Sequence, residues 1–234
     1  MFQSLLAVTT AVSVVISVAV SVVCIALVAV LSYRHKAMTT KEIALAAVCV
    51  GVSFALSYIK FSLPQGGSAT AASLVPVCIF AYIYGFRKGL IVGIVYGWLQ
   101  LVQEPYILHP AQVLLDYVLG FGCIAFAGAF RKRNLPKAGM YDLLLGVAVA
   151  GLGRYFCSFL SGVVFYAEYA WEGWPVWAYS LAYNGILMID IAICLAVCAV
   201  LQYTPQFKKA VLYMNPEKAA SPAPQDAPPA DIQS

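Results

Sequence analysis

The chain has 234 residues, 62% of them hydrophobic, with 14 Lys and Arg against 10 Asp and Glu, and a mean hydropathy of +0.85. Charged residues make up 10% of it, against about a quarter in soluble domains, and they cluster between apolar runs. An ordinary water-soluble domain is excluded, a formal charge of +4 spread over segment ends leaves no footprint for nucleic acid, and the lipid bilayer is the expected solvent.

No charged residue precedes Arg34, and 5–32 is an apolar run interrupted by Ser and Thr. At ~1.5 Å per residue this run is long enough to cross a ~30 Å hydrocarbon core. It lacks the basic n-region and short apolar core of a secretory signal. Residues 1–36 are therefore expected to form a retained transmembrane helix that enters with its N-terminus outside and stops at Arg34, His35 and Lys36. Six further apolar segments follow, at 43–59, 69–84, 90–102, 111–130, 143–166 and 176–203. Several are shorter than the ~20 residues of a full span. Short spans bounded by Gly and Pro imply irregular helix ends around an internal cavity, because unpaired backbone at membrane depth survives only against protein or water.

The fold class expected is an all-α polytopic membrane protein with a membrane domain over 37–210. The Pro- and Ala-rich end, 211–234, is expected to be a disordered tail. Alternating the connections puts 12 of the 14 Lys and Arg on one side, which the positive-inside rule makes cytoplasmic. The opposite loops hold the acidic and aromatic residues Glu104, Tyr106, Tyr166, Glu168, Trp171 and Trp174, with Lys60 nearby. Trp171, Trp174 and Trp177 are read either as an interfacial aromatic belt or as a cover over a pocket. The seven cysteines form no CxxC pair and read as small hydrophobes, so no metal site is expected.

Asp116, Arg154 and Asp190 fall inside spans, where an ionisable group is costly enough to be a functional candidate. Counting ~1.5 Å per residue from the outer ends places Asp116, Ser158 and Asn184 in one layer ~10–12 Å deep. Gln112 and Asp116 share a helix face, as do Ser158 and Gly162. Arg154 and Asp190 come out deeper, at ~18 and ~21 Å, and read as an ion pair locking two consecutive helices. For Asp116 two partners stay open, a cationic ligand or Arg154. On the helix from Ile43, Ala47, Gly51 and Ala55 form a small-xxx-small ladder for close helix approach. No P-loop, HExxH or GxSxG motif occurs, so the chain carries no recognisable ATPase or catalytic set.

The blocks Pro64-Gln-Gly-Gly-Ser68, Tyr106-Ile-Leu-His-Pro110, Gln112 with Leu115-Asp-Tyr117, Ser161-Gly-Val-Val-Phe165, Tyr169-Ala170, Tyr179-Ser-Leu181 and Asn184-Gly185 resemble, in order and spacing, the thiamine-specific S-components (ThiT) of energy-coupling-factor (ECF) transporters. The resemblance covers about 39–203. It implies a six-helix S-component bundle, to which the N-terminal helix and the tail are additions. It also implies a non-enzymatic, cofactor-free subunit of a prokaryotic cell membrane that captures thiamine from outside. Import would need a transmembrane coupling protein and a pair of cytoplasmic ATPases. Carried over residue by residue, the ligand contacts are Tyr106, Asp116, Tyr117, Gly162, Tyr179 and Asn184. Ser158 stands where a histidine is common and Tyr166 where a tryptophan can stack. Gly67 aligns near an aromatic contact of some members. The docking helix would present Ala44, Ala47, Gly51 and Ala55, with Val48 rather than Ala four residues after Ala44. Two other functions stay open: an S-component for a thiamine precursor or analogue, and a solitary secondary transporter with Asp116 as proton carrier.

Overall fold

The computed structural model describes residues 38–62, 68–103, 107–130 and 141–214. The expected N-terminal helix, Gly67, Tyr106 and most of the expected tail lie outside the described residues. Among those described, the six expected apolar segments each contribute a helix: α1 (Thr40–Ser57), α2 (Val75–Tyr84), α3 (Phe86–Gln103), α4 (Pro110–Gly128), α5 (Tyr141–Phe165) and α6 (Val176–Tyr203), followed by a short α7 (Pro205–Tyr213). Four of them, α1, α4, α5 and α6, are long and apolar enough to cross a membrane. The distribution of side chains agrees with a hydrocarbon surround. Val52, Leu152, Phe156, Ile189 and Val200 face outward, while Glu42, Asp142 and Asp190 are buried.

Local chemistry sets the helix ends. Thr39 and Glu42 form a capping box at the start of α1: the Glu42 amide donates to Thr39 Oγ1 at 3.4 Å, and the Thr39 amide donates to Glu42 Oε2 at 2.8 Å. Two amides that no helical carbonyl can reach are thereby satisfied. The same carboxylate receives Lys88 Nζ at 2.6 Å, clipping α1 to the start of α3. Pro76 and Pro110 sit at the first turns of α2 and α4, where the missing proline N–H costs nothing. Gly85, at φ 87°, makes the corner between α2 and α3.

The structure departs from the sequence reading in three places. The segment expected to be apolar from residue 69 begins as a strand: Ser68–Thr70 pairs antiparallel with Lys60–Ser62, Lys60 opposite Thr70. The helix waits until Val75 because Ala72 adopts φ 60°, a left-handed conformation that interrupts helical propagation. Second, α4 is not uniform. Leu114–Leu119 is a π-helical turn, closed by the Gly120 amide on the Leu115 carbonyl five residues back, and Cys123–Gly128 tightens to 3-10 geometry. Third, ordered helix continues to Tyr213, past residue 210.

The core lies where α2 is wrapped by α3 and α4; Val77, Phe80, Ala81 and Ala125 are fully buried. Close approach of α3 to its neighbours depends on Gly89, Gly93 and Gly97. A Cβ on Gly93 would stand 2.5 Å from the Phe121 carbonyl oxygen, and one on Gly97 would collide with the Tyr117 carbonyl and lie 3.0 Å from Phe121 Cβ. Gly51 on α1 is the opposite case, with nothing among the described residues within 4 Å of its missing Cβ.

Gly97→Leu is therefore expected to destabilise the fold by about 1–3 kcal/mol or more, the scale of core overpacking against backbone. Gly51→Leu should leave the unfolding midpoint near wild type. Thermal unfolding of both variants in detergent checks this, and equal losses would contradict the packing described.

Candidate functional site

A cavity of about 780 Å³ opens between α1, α3, α4, α5, α6 and the two-stranded hairpin. That is within the usual few-hundred to ~1,000 Å³ range of small-molecule sites. The sequence-predicted residues Asp116, Tyr117, Ser158, Gly162, Tyr166, Tyr179 and Asn184 all line it. Tyr106 lies outside the described residues.

The π turn of α4 carries two of these, Asp116 and Tyr117. An inserted residue of this kind widens the spiral and re-aims side chains, and such turns concentrate at functional sites. Asp116 is fixed from two sides. Its Oδ2 accepts from Gln112 Nε2 at 2.8 Å, one turn before it on α4, and from Ser161 Oγ at 2.8 Å on α5. Gln112 is itself 1% exposed, and its Oε1 accepts from the Leu108 amide at 3.3 Å, so its amide orientation is set by both neighbours. A carboxylate held by neutral donors keeps its negative charge available to a ligand.

On the facing side, Asn184 ends the outer part of α6. That helix consists of Val176–Asn184 and Ile186–Tyr203, stepping at Gly185. Asn184 Nδ2 lies 3.0 Å from the Ser180 carbonyl and 3.2 Å from the Ser158 carbonyl, and Ser180 Oγ donates to the Phe159 carbonyl at 2.8 Å. The side-chain amino group is thus committed to protein, and its amide oxygen is the atom left to accept from a ligand donor. Gly162 makes this seam possible. A Cβ there would collide with Ser180 Oγ and lie 3.0 Å from Ser180 Cβ and 3.2 Å from Asn184 Nδ2.

Aromatic rings complete the wall. Tyr179 packs edge-on against Trp171 at 5.2 Å and tilts against Tyr183 at 5.7 Å, and Tyr166 lies 5.9 Å from Tyr169. Trp171 also meets Trp174 edge-on at 5.2 Å, whereas Trp177 points outward, 59% exposed. Trp171 is therefore built onto a cavity residue, and Trp177 has the exposure of a belt residue.

Arg154 and Asp190 pair as the sequence indicated, Nη1 to Oδ2 at 3.2 Å. Depth counting had set them apart from the ligand layer. The structure corrects that, since both line the cavity. Other lining residues escaped sequence reading: Ser57, Thr70, Gln100 and Gln103 on the α1, α3 and hairpin side. The signal was present in Gln100 and Gln103, polar at i, i+3 spacing on the last turn of an otherwise apolar helix. Ser57 Oγ lies 2.7 Å from Gln103 Oε1. Ala44, Ala47, Gly51 and Ala55 are all exposed on α1, on the face away from the buried Ser53 and Ser57. Among the described residues no cluster of His, Cys, Asp and Glu is suited to a metal ion.

Comparison with known proteins bears on what fills such a cavity. The family model described as Thiamine transporter protein (Thia_YuaJ) matches residues 43–210. The chain belongs to this thiamine transporter family. A member from Bacillus subtilis (strain 168), Thiamine transporter ThiT, is 31% identical over 178 residues, spanning 72% of this chain and 92% of that one. The ThiT of Lacticaseibacillus paracasei is 28% identical over 174 residues, covering 68% of this chain and 86% of the relative. The solved structure of ThiT from Listeria monocytogenes superposes with a TM-score of 0.62 at 26% identity, over 71% of this chain and 96% of that one. Family membership and the outward-facing apolar helices make this a multi-pass helical membrane protein.

If the α5–α6 seam is as tight as described, Gly162→Ala should lower the unfolding midpoint, at a cost of about 1–3 kcal/mol. Adding Ser180→Ala should recover part of the loss, because the Ser180 hydroxyl is the atom in the way. Thermal unfolding of the single and double variants checks the pair, and no recovery would place the strain elsewhere.

Proposed function

We propose that the chain is the substrate-capturing subunit of a vitamin importer, binding thiamine in the cavity from the outer side and handing it to an ECF module for ATP-driven uptake. The observation that carries the reading is the cavity's chemistry: a carboxylate held by neutral donors, flanked by tyrosines and faced by an amide. Thiamine joins a permanently cationic thiazolium to a neutral aminopyrimidine. Asp116 would meet the cation, and the rings of Tyr117, Tyr166 and Tyr179 would offer it π faces, each such contact worth roughly 0.5–2 kcal/mol depending on desolvation. The Asn184 amide oxygen would accept from the exocyclic amine of the pyrimidine. Ser158 would contribute a hydrogen bond and Gly162 the close helix approach. Tyr106 is retained as a ligand contact on the strength of the family resemblance. No step of bond-making is needed, and the relatives are named as transporters rather than enzymes.

Orientation follows from the basic residues, with the C-terminus cytoplasmic, the N-terminus outside and the cavity opening outward. Residues 1–36 would add one helix to the domain of 37–210. Energy would come from a transmembrane coupling protein and two cytoplasmic ATPases. Their docking face would be the exposed Ala44, Ala47, Gly51 and Ala55 of α1, where the absence of bulk lets a second helix approach to backbone contact.

Equilibrium titration of the detergent-solubilised chain with thiamine and with its separate pyrimidine and thiazole halves, followed by tryptophan fluorescence, tests the capture reading. Saturable binding of thiamine well above either half is expected, and its absence would overturn the assignment. Asp116→Asn should weaken thiamine by about tenfold or more, as loss of a partly buried charge contact predicts, while the neutral pyrimidine half changes little. Equal losses would place Asp116 on the pyrimidine. Gly51→Leu should bind thiamine as wild type does yet fail in uptake with the ECF module, and normal uptake would move the docking face off α1.

A further inference from the structure

Asp116 is not the only anion in the cavity wall, nor is a ligand the only cation within its reach. Arg154 lies four residues before Ser158 on α5, and its stem runs toward α4, with Cγ 3.8 Å from where a Cβ of Gly120 would stand. Its guanidinium carbon sits 4.3 Å over the Phe121 ring. Gly120 is one turn beyond Asp116, so Arg154 crosses α4 next to the turn that carries the carboxylate, where the two opposite charges attract. Guanidinium and carboxylate form bidentate pairs readily when they meet. In this structure Arg154 turns to α6 instead and pairs with Asp190 at 3.2 Å.

Asp190 is built to hold it there. It is 2% exposed, and both of its oxygens are engaged: Oδ2 by Arg154 and Oδ1 by the Thr70 hydroxyl at 2.8 Å. Thr70 is in turn 2.7 Å from Ser73 Oγ, and Ala72 between them holds its left-handed φ of 60°. The end of the hairpin is thus folded around the Asp190 carboxylate. Among the described residues, four charged groups line the cavity, Lys60, Asp116, Arg154 and Asp190. A guanidinium here needs an anion, and the described lining offers Asp116 and Asp190.

We propose that Asp190 is a specificity-determining positioning residue: by holding Arg154 on α6, it keeps the guanidinium off Asp116 and so reserves that carboxylate for a cationic ligand. The pairing half of this inference is independent of ligand identity, and the selectivity half rests on the thiamine reading above. A plain structural lock between α5 and α6 would affect every ligand alike. A charge-steering role affects cations selectively.

Two measurements separate the possibilities. The first uses ligand-free protein and compares unfolding midpoints of wild type, Asp116→Asn, Asp190→Asn and the double variant. With Asp190 neutral, Arg154 re-pairs with Asp116, so removing both carboxylates lowers the midpoint by more than the sum of the single effects. Simple additivity overturns the pairing. If Asp190→Asn does not fold, Asp190→Ser, which keeps a hydrogen-bonding group near Thr70 and removes the charge, replaces it in the same cycle, with a deviation of the same sign expected. The second measures binding. Asp190→Asn should weaken thiamine by about tenfold or more, the scale of a competing charge contact at partly buried depth, and leave the neutral pyrimidine half unchanged. Adding Arg154→Met should restore thiamine binding. Equal losses for both ligands, or no recovery, overturn the selectivity role. If wild type itself binds no thiamine, the proposed function falls, and the ligand-free cycle still decides the pairing.

Discussion

A charged side chain at membrane depth has no water to fall back on, and the arrangement of this bundle follows from how its carboxylates and its guanidinium are partnered. Asp190 is satisfied by an ion pair and a hydroxyl from two different elements. Asp116 is satisfied by an amide and a hydroxyl, both neutral. The difference matters chemically. An ion pair in a low-dielectric surround is locally neutral, whereas a carboxylate solvated by dipoles retains a field that a permanent organic cation can answer. The cavity therefore carries one compensated pole, Asp190 with Arg154, and one carboxylate held only by neutral hydrogen-bond donors, Asp116, and the two α5 residues that hold them, Arg154 and Ser161, lie two turns apart on one face of α5.

Holding those groups in register demands close backbone approach, and that is the work of missing side chains. Gly97 lets α3 lie against the Tyr117 carbonyl of the π turn in α4 and Gly93 against the Phe121 carbonyl just beyond it, and Gly162 lets α6 seat Ser180 and Asn184 on α5. The π turn is thus clamped between α3 behind it and Ser161 in front. A strictly α-helical α4 would rotate Asp116 and Tyr117 away from that position, because each residue inserted or removed turns the following side chains by about 100°.

Much of this was legible in the sequence. Apolar run lengths located the six helices, and a count of ~1.5 Å per residue placed Asp116, Ser158 and Asn184 in one layer, where the structure has them lining one cavity. The Gln112–Asp116 contact followed from i, i+4 spacing. Other features were not legible, for identifiable reasons. The π turn leaves no periodic mark, since one extra residue within a uniformly apolar helix changes no pattern. The hairpin at Lys60–Ser62 and Ser68–Thr70 is too short to show alternation, and the left-handed Ala72 has no propensity signature. Depth counting separated Arg154 and Asp190 from the ligand layer because it ignores side-chain length; a long guanidinium stem spans the several ångströms that the backbone positions leave between them.

The open face of α1 has a consequence for the surrounding lipid. Among the described residues nothing occupies the space above Gly51, and Val48 and Val52 are exposed beside it. In a bilayer such a notch is filled by acyl chain, which packs there as it does against any apolar surface. Association with another helix along this face is then an exchange, one lipid contact for one protein contact. The driving force is the difference in packing quality together with the entropy of the released chain, not removal of apolar surface from water. The strength of any such association becomes a property of the membrane as much as of the protein: stiffer, more ordered acyl chains fit a narrow notch poorly and favour the helix, whereas short or unsaturated chains that conform to it compete more effectively.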